Sequence, residues 1–424
     1  MRKSWNQAGY RSTSNLALIV ALFVALSGAS AIAAQGGYEP PTTLNASQIL
    51  PPDLLSGPNH RVEEKVTNDG LLNTYRVGSK FGTLTAVSTP VLKKRILEIN
   101  ALVTMEKISK TSVYTAALKE AGANTLSGVK NLVLNPVQTL SGAASGIGAA
   151  FSRVTNSLSG PKRSQSEDAQ VKDLIGYSKA KREIAFQLGV DVYSDNEKLQ
   201  SRLNEISWAS FAGGLTWNAA MMAVPGGAGV AFSVTGNLQR LNEIFRDNPP
   251  VELRRMNGEK LAAMDVNREI ADAFLNNAVY SPRGQTILVN ALEGMKGVAN
   301  RAAFIRLATS LSDANLALFR QRQAEMYAGY NRVMSPIETF LFLGEFAVAR
   351  TVKSDIVFNV PLDHLVWTEP VAGLIAAANQ RVSDLTGVQE KQLWVTGTVS
   401  ARAKKEIESR GWKVQENSEP RLLE

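Results

Sequence analysis

The pattern of apolar and polar positions changes character several times along this chain. Over residues 60–88 it alternates. Val62, Glu64 and Val66 are interleaved with Arg61, Glu63 and Lys65, and Leu71, Tyr75 and Val77 follow among polar neighbours. A period of two is the mark of a half-buried strand. Asn68-Asp69-Gly70 lies between the two runs, and Asp-Gly accepts the positive φ values of a tight turn. Residues 81–87 (FGTLTAV) supply a third strand, so the spacing predicts an N-terminal three-stranded β-meander. Pro90 suits a first helical turn, and Leu92, Ile96, Ile99 and Val103 recur at helical spacing. One long helix to about residue 121 is therefore predicted, covering a meander that cannot stand alone.

Residues 122–166 carry small residues and few charges. Between positions 126 and 151 there is no acid and one base, Lys130, with Gly128, Gly142, Gly146 and Gly148 among Val, Leu and Ile. Asn135-Pro136 interrupts the helical pattern, and residues 137–154 place Leu140, Ile147 and Phe151 on a Gly/Ala-rich amphipathic helix. Such a helix fits a membrane interface or a closely packed partner helix. Residues 157–167 (SLSGPKRSQSE) read as a polar loop.

Residues 167–334 predict a helical domain. Val171, Leu174, Ile175, Ser178, Ala185 and Leu188 mark one apolar stripe, closed by Gly189; Leu199, Leu203 and Ile206 mark the next. Positions 206–239 then form a stretch of 34 residues without a charge, cut by Pro225-Gly226-Gly227. Three readings stay open for it: a buried central apolar Gly-rich hairpin, a hairpin that enters a membrane on a trigger, or one transmembrane helix over positions 206–224. Trp208, Phe211, Trp217 and Met221 are its candidate membrane or partner contacts, the tryptophans suiting interfacial depth. Further helices are predicted over residues 258–279 and from Leu307 towards Tyr330.

Residues 335–424 change again. Positions 340–349 and 356–367 read as strands, 370–385 as a helix and 393–399 as a strand. Ser400 is a good N-cap for a helix at 401–409, and Gly411 precedes a last strand at Trp412. Strand, helix, strand is a βαβ unit, so a C-terminal α/β module is predicted.

The first 34 residues change the picture of location. Arg2, Lys3 and Arg11 precede an apolar run at 16–26 (LALIVALFVAL) and an Ala31-Ile32-Ala33 cleavage pattern. That order predicts a secretory signal peptide, and the run is too short to span a bilayer. Residues 35–58, with Pro40, Pro41, Pro51, Pro52 and Pro58, are predicted to be an extended linker. The chain has no Cys, so it uses neither disulfides nor thiol nucleophiles. Its formal charge of +8 falls by three, to +5, without the leader's cations. Lys and Arg are scattered, which argues against nucleic acid as a partner.

Candidate chemistry is sparse. His60 and His364 are the only histidines, too few for a His-rich metal site. His60 is expected to be exposed beside the linker. Ser178-Lys179-Ala180-Lys181 and Ser194-Asp195-Asn196 match two short patterns of penicillin-recognising enzymes, but they lie too close together and no K-T-G strand follows. Gly226-Gly227-Ala228-Gly229 lacks the Lys of a P-loop. Gly397, after the strand at 393–396, is placed to face a ligand or to serve a turn. Glu338, Glu345, Asp363 and Glu369 cluster near predicted strands and are the candidates for an acid/base site. No catalytic, cofactor-binding or metal-binding residue is assigned.

Four blocks, VTNDGLLNTYRVGSKFGTLTA, NPVQTLSGAASGIGAAF, the stretch from DLIGYSKAKREIAFQLGV to ISWASFAGG, and LWVTGTVSARAKKEIESRGW, resemble an uncharacterised family of exported proteobacterial proteins. The resemblance covers most of the chain after the leader and implies no assigned activity. The NPVQTLSG helix alone is similar to helices that precede toxin domains in polymorphic secreted toxins.

The expectation is a mainly helical α+β fold. It runs as leader (1–34), linker (35–58), meander and long helix (59–121), Gly/Ala-rich helices (122–166), helical domain (167–334) and C-terminal module (335–424). The expected function is that of a periplasmic or secreted, non-enzymatic envelope protein that associates with a membrane surface or membrane protein. The alternatives are a membrane-inserting effector using positions 206–239, or an enzyme with a site between the helical body and the C-terminal module.

Overall fold

The computed structural model describes residues 37–123, 165–224, 237–344 and 346–423. The fold is mixed α+β and 55% helical. The chain opens with β1 (Thr43–Asn45), two single-turn helices α1 (Ala46–Ile49) and α2 (Pro52–Leu55), and β2 (Ser56–Gly57). Residues expected as linker are thus built into the fold. Ala46 and Leu50 are buried, and Pro51 and Pro52 sit at the start of α2, where no N–H is needed.

β3 (His60–Val62), β4 (Lys65–Asn68), β5 (Asn73–Ser79) and β6 (Gly82–Val87) follow. The sheet has six strands in the order β1-β4-β5-β3-β2, with β6 on the other side of β5, where the sequence predicted three. β3 and β4 both pair antiparallel with β5, through Val62↔Val77 and Thr67↔Thr74. His60 is 7% exposed, not free: its Nε2 lies 3.2 Å from the Leu54 carbonyl.

The expected long helix is two, α3 (Thr89–Ser109) and α4 (Ser112–Ala123), separated at Lys110-Thr111. The Thr111 hydroxyl donates to Ile108 O at 2.8 Å and accepts from Tyr114 N at 3.2 Å, which turns the chain there. α3 covers the sheet with Leu92, Ile96 and Ile99 against Val66, Tyr75, Val77 and Ala86.

The helical region comprises α5 (Gln165–Gln187), α6 (Glu197–Gly213), α7 (Trp217–Met222), α8 (Asn237–Asp247), α9 (Pro250–Ala263), α10 (Arg268–Asn276), α11 (Pro282–Gly294), α12 (Arg301–Thr309) and α13 (Ala314–Val333). The helix predicted over 258–279 breaks at Asp265 (φ 58°), and that predicted from Leu307 breaks at Asp313, whose carboxylate caps α13. The apolar spacing runs through the break at Asp265, from Leu261 and Met264 to Ala271 and Leu275, and so hides it.

The C-terminal sheet contains β7 (Ile337–Leu343), β8 (Phe346–Thr351), β9 (Ile356–Val360), β11 (Lys391–Val395) and β13 (Trp412–Gln415), ordered β13-β11-β9-β8-β7. A second, two-stranded sheet pairs β10 (His364–Leu365) with β12 (Thr398–Val399). The run at 340–349, expected as one strand, is an antiparallel hairpin that turns at Gly344 (φ 68°). β9, β11 and β13 are parallel; α14 (Glu369–Ser383) and α15 (Ala401–Glu408) connect them, and α16 (Glu419–Leu422) closes the chain. Val357 and Trp394 face the helices α10–α13, while Phe358, Val360, Leu393 and Val395 face α14 and α15. Both sheet faces are buried, as parallel strands require.

Candidate functional site

Two places in this fold bear on function. The first is the end of the helical region where α4, α5, α6 and α7 meet. Small residues let the helices approach there: a β-carbon at Gly213 would lie 1.9 Å from the Ala117 carbonyl, and one at Gly176 would lie 2.5 Å from the Phe211 ring. Trp208 is 5% exposed and packs with Ala121 and Tyr177. Phe211 lies against it, the ring centroids 6.1 Å apart. The Tyr177 hydroxyl donates to Asn204 Oδ1 at 2.9 Å, and burial raises its pKa well above the ordinary range.

Gly214 (φ 67°) ends α6, and the Thr216 hydroxyl caps α7 by accepting from Ala219 N at 3.2 Å. The stretch 206–224 is therefore bent into two helices, so the reading of it as one transmembrane helix is overturned. Among the described residues no helix is long and apolar enough to cross a membrane.

Of the seven predicted contact residues, Trp208 and Phe211 form one cluster, and Trp217 and Met221 pack half-buried against the adjoining helical core. Leu140, Ile147 and Phe151 lie outside the described residues. Trp208 is inside and supports the surface instead of forming it. Three exposed residues that sequence reasoning missed lie on these helices, Leu118 (39% exposed) on α4, Ile175 (52%) on α5 and Met222 (87%) on α7. Ile175 belongs to the apolar stripe that the sequence predicts, yet it is exposed. Its neighbours Gly176, against the Phe211 ring, and Tyr177, bonded to Asn204, face α6. Only the absence of charge around positions 206–239 pointed to this region.

A polar network ties α3 to the start of α6. Glu98, buried on α3, accepts hydrogen bonds from Ser194 Oγ (2.5 Å), Asn196 Nδ2 (3.0 Å) and Arg95 Nη1 (2.9 Å). Asp195 takes both Arg95 guanidinium nitrogens, which holds its carboxyl well below the usual range. Ser194-Asp195-Asn196 is thus a structural clasp, with Asn196 also capping α6. The Ser178 hydroxyl accepts from Arg182, not Lys181; Lys181 donates to Gln200 Oε1 at 2.8 Å, and burial pushes its pKa down to about 8.

The second place is the carboxyl edge of the parallel strands, where open α/β sheets bind ligands. Here the N-terminal sheet closes it. Asp363 accepts Asn73 N (2.9 Å) and Thr89 N (3.0 Å), Val366 N donates to Gly70 O at 2.9 Å, and Asn68 Nδ2 donates to His364 O at 3.1 Å. Gly397 faces the protein's own backbone: its N–H reaches Leu362 O at 2.8 Å, and a β-carbon would meet Asp363 O at 1.9 Å. That excludes the ligand-facing role.

Glu39 straps the same loops, accepting Trp367 N at 2.8 Å and Ser400 Oγ at 2.5 Å. His364 Nδ1 lies 2.6 Å from Thr398 Oγ1. Burial lowers the pKa of this imidazole, with Glu39 and Glu416 acting the other way. The carboxylates proposed for acid/base work do not converge. Asp363 is occupied by backbone, Glu369 is exposed in the first turn of α14, Glu338 is exposed on the edge strand β7, and Glu345 lies outside the described residues. Among the described residues no group of three His, Asp or Glu is placed to hold a metal ion.

No family model matches this chain, and neither a curated protein nor a solved structure is similar to it.

Proposed function

We propose that this is an exported, non-enzymatic envelope protein that associates with a membrane surface or a membrane protein through the apolar end of its helical region. The observation that carries the reading is that exposed Leu118, Ile175 and Met222 lie on α4, α5 and α7, the helices packed with α6 that also carry or contact half-buried Phe211, Trp217 and Met221. Exposed apolar groups gathered in one place mark contact sites more often than scattered ones do. The export half of the reading rests on the positive segment, apolar run and Ala31-Ile32-Ala33 of the leader. The same reading takes residues 60–87 as a meander with two short strands added, and residues 391–415 as a βαβ module. Closure of the sheet's carboxyl edge by Asp363 and Gly397 favours a scaffold over an enzyme there.

Flotation with phosphatidylglycerol-containing vesicles tests the lipid arm. The chain without its leader is expected to float with the vesicles, and Met222→Glu combined with Ile175→Glu to remain in the soluble layer. Equal behaviour of both proteins would remove the apolar end from the account.

A further inference from the structure

An exposed strand edge is a template for pairing, and proteins usually blunt it. This molecule blunts most of its edges. β1 has three residues and β2 has two. β13 is four residues long and carries Lys413, which pairs with Glu390. β7 is partly covered, because Ala299 N donates to Glu338 O at 2.9 Å and Phe340 N donates to Ala299 O at 3.1 Å. β6 is the exception. It is six residues long, GTLTAV, with no charge and no Pro, and its register with β5 runs unbroken from Thr74↔Val87 to Ser79↔Gly82. Among the described residues no strand pairs with its outer side.

The phase of the open groups follows from one hydrogen bond. Ser88 N donates to Asn73 O at 2.8 Å, so the bonded pairs along the hairpin are 75 with 86, 77 with 84 and 79 with 82. Gly82, Leu84 and Ala86 therefore turn their N–H and C=O towards β5, while Thr83, Thr85 and Val87 turn theirs outwards. Ala86 is buried in the sheet's core and Leu84 packs partly against it, whereas Thr83 and Thr85 are exposed. The outward set is symmetric about Thr85.

We infer that β6 is the interface for a second copy of this chain, paired antiparallel across a two-fold axis at Thr85. In that register Thr85 faces Thr85 of the other copy, and Thr83 faces Val87 in both directions. Every outward N–H and C=O of the strand gains a partner, no like charges oppose each other, and Thr–Thr is a favourable cross-strand pair. Such an isologous contact closes on itself and joins the two six-stranded sheets into one.

The absence of Cys makes the test clean. In the proposed dimer Thr85→Cys places two sulfurs across the axis, within the Cα separation that a disulfide accepts. Under mild oxidation it is expected to convert to a covalent dimer, while Val352→Cys, at an exposed site away from β6, stays monomeric. Light scattering of the parent chain is expected to give twice the monomer mass. Thr85→Pro, which removes the outward N–H and leaves the N–H groups bonded to β5 in place, is expected to return it to the monomer mass. Thr83→Lys, which sets an ammonium against the facing Val87, serves the same purpose without touching the backbone. A covalent dimer at Thr85→Cys together with loss of the doubled mass in either variant supports the pairing. A monomer mass for the parent chain, no excess of crosslinking over Val352→Cys, or a dimer unaffected by both variants overturns it.

Discussion

Ser194 donates a 2.5 Å hydrogen bond to the carboxylate of Glu98, 96 residues away along the chain and buried on α3. With Asn196 and Arg95 completing the shell, the carboxylate is surrounded by donors. Glu98→Ala removes the acceptor of Ser194 and Asn196 and one of the two carboxylate partners of Arg95, and is expected to cost about 3 kcal/mol, whereas Ser194→Ala costs about 1–2 kcal/mol. Denaturant midpoints at unchanged m-value measure both. A loss below half of the first figure would mean that the clasp is not structural.

Gly397 and Asp363 close the carboxyl edge of the parallel strands. Gly397→Ala drives a methyl into the Asp363 carbonyl, a backbone atom that cannot swing aside. A loss of about 1–3 kcal/mol is expected from such overpacking. Asp363→Ala orphans the N–H groups of Asn73 and Thr89 and is expected to cost about 2–4 kcal/mol. If instead either variant kept its melting temperature and gained affinity for a small ligand, the edge would be a covered site and the enzyme reading would return.

Lys181 gives the chain a specific pH response. Its folded value near 8 lies below the ordinary 10.5, so between those values the fold binds fewer protons than the unfolded chain. The lysine's contribution to stability is therefore flat below about pH 8 and rises towards 10.5. Thermal melts of the parent and Lys181→Met across that window should differ in slope, the variant being the flatter. Parallel curves would show that Lys181 is solvated in the fold.

Much of the architecture was legible in the sequence where local rules are strong. Asn68-Asp69-Gly70 turns between β4 and β5, Gly189 and Gly411 both take positive φ, and the Ser400 hydroxyl accepts from Ala403 N to cap α15. What stayed hidden depends on partners far along the chain. Residues 43–57 look like a linker because their elements are two to four residues long, and they are ordered by pairing with β3 and β4 and by burial of Ala46 and Leu50. The break at Asp265 leaves Leu261, Met264, Ala271 and Leu275 at helical spacing and so leaves no trace in the period. The candidate contact site was half visible. The missing charges marked its place, but whether Trp208 or Met222 faces out depends on where Gly176 and Gly213 bring neighbouring helices.

The central claim is that the apolar end of the helical region holds this protein at a membrane. The most direct measurement is the share of the intact protein recovered with envelope membranes after cell breakage at low salt, for the parent and for Ile175→Glu with Met222→Glu. The account predicts a membrane-bound parent and a largely soluble double variant of unchanged melting temperature. A parent recovered wholly in the soluble fraction, or a double variant that stays bound like the parent, would contradict it.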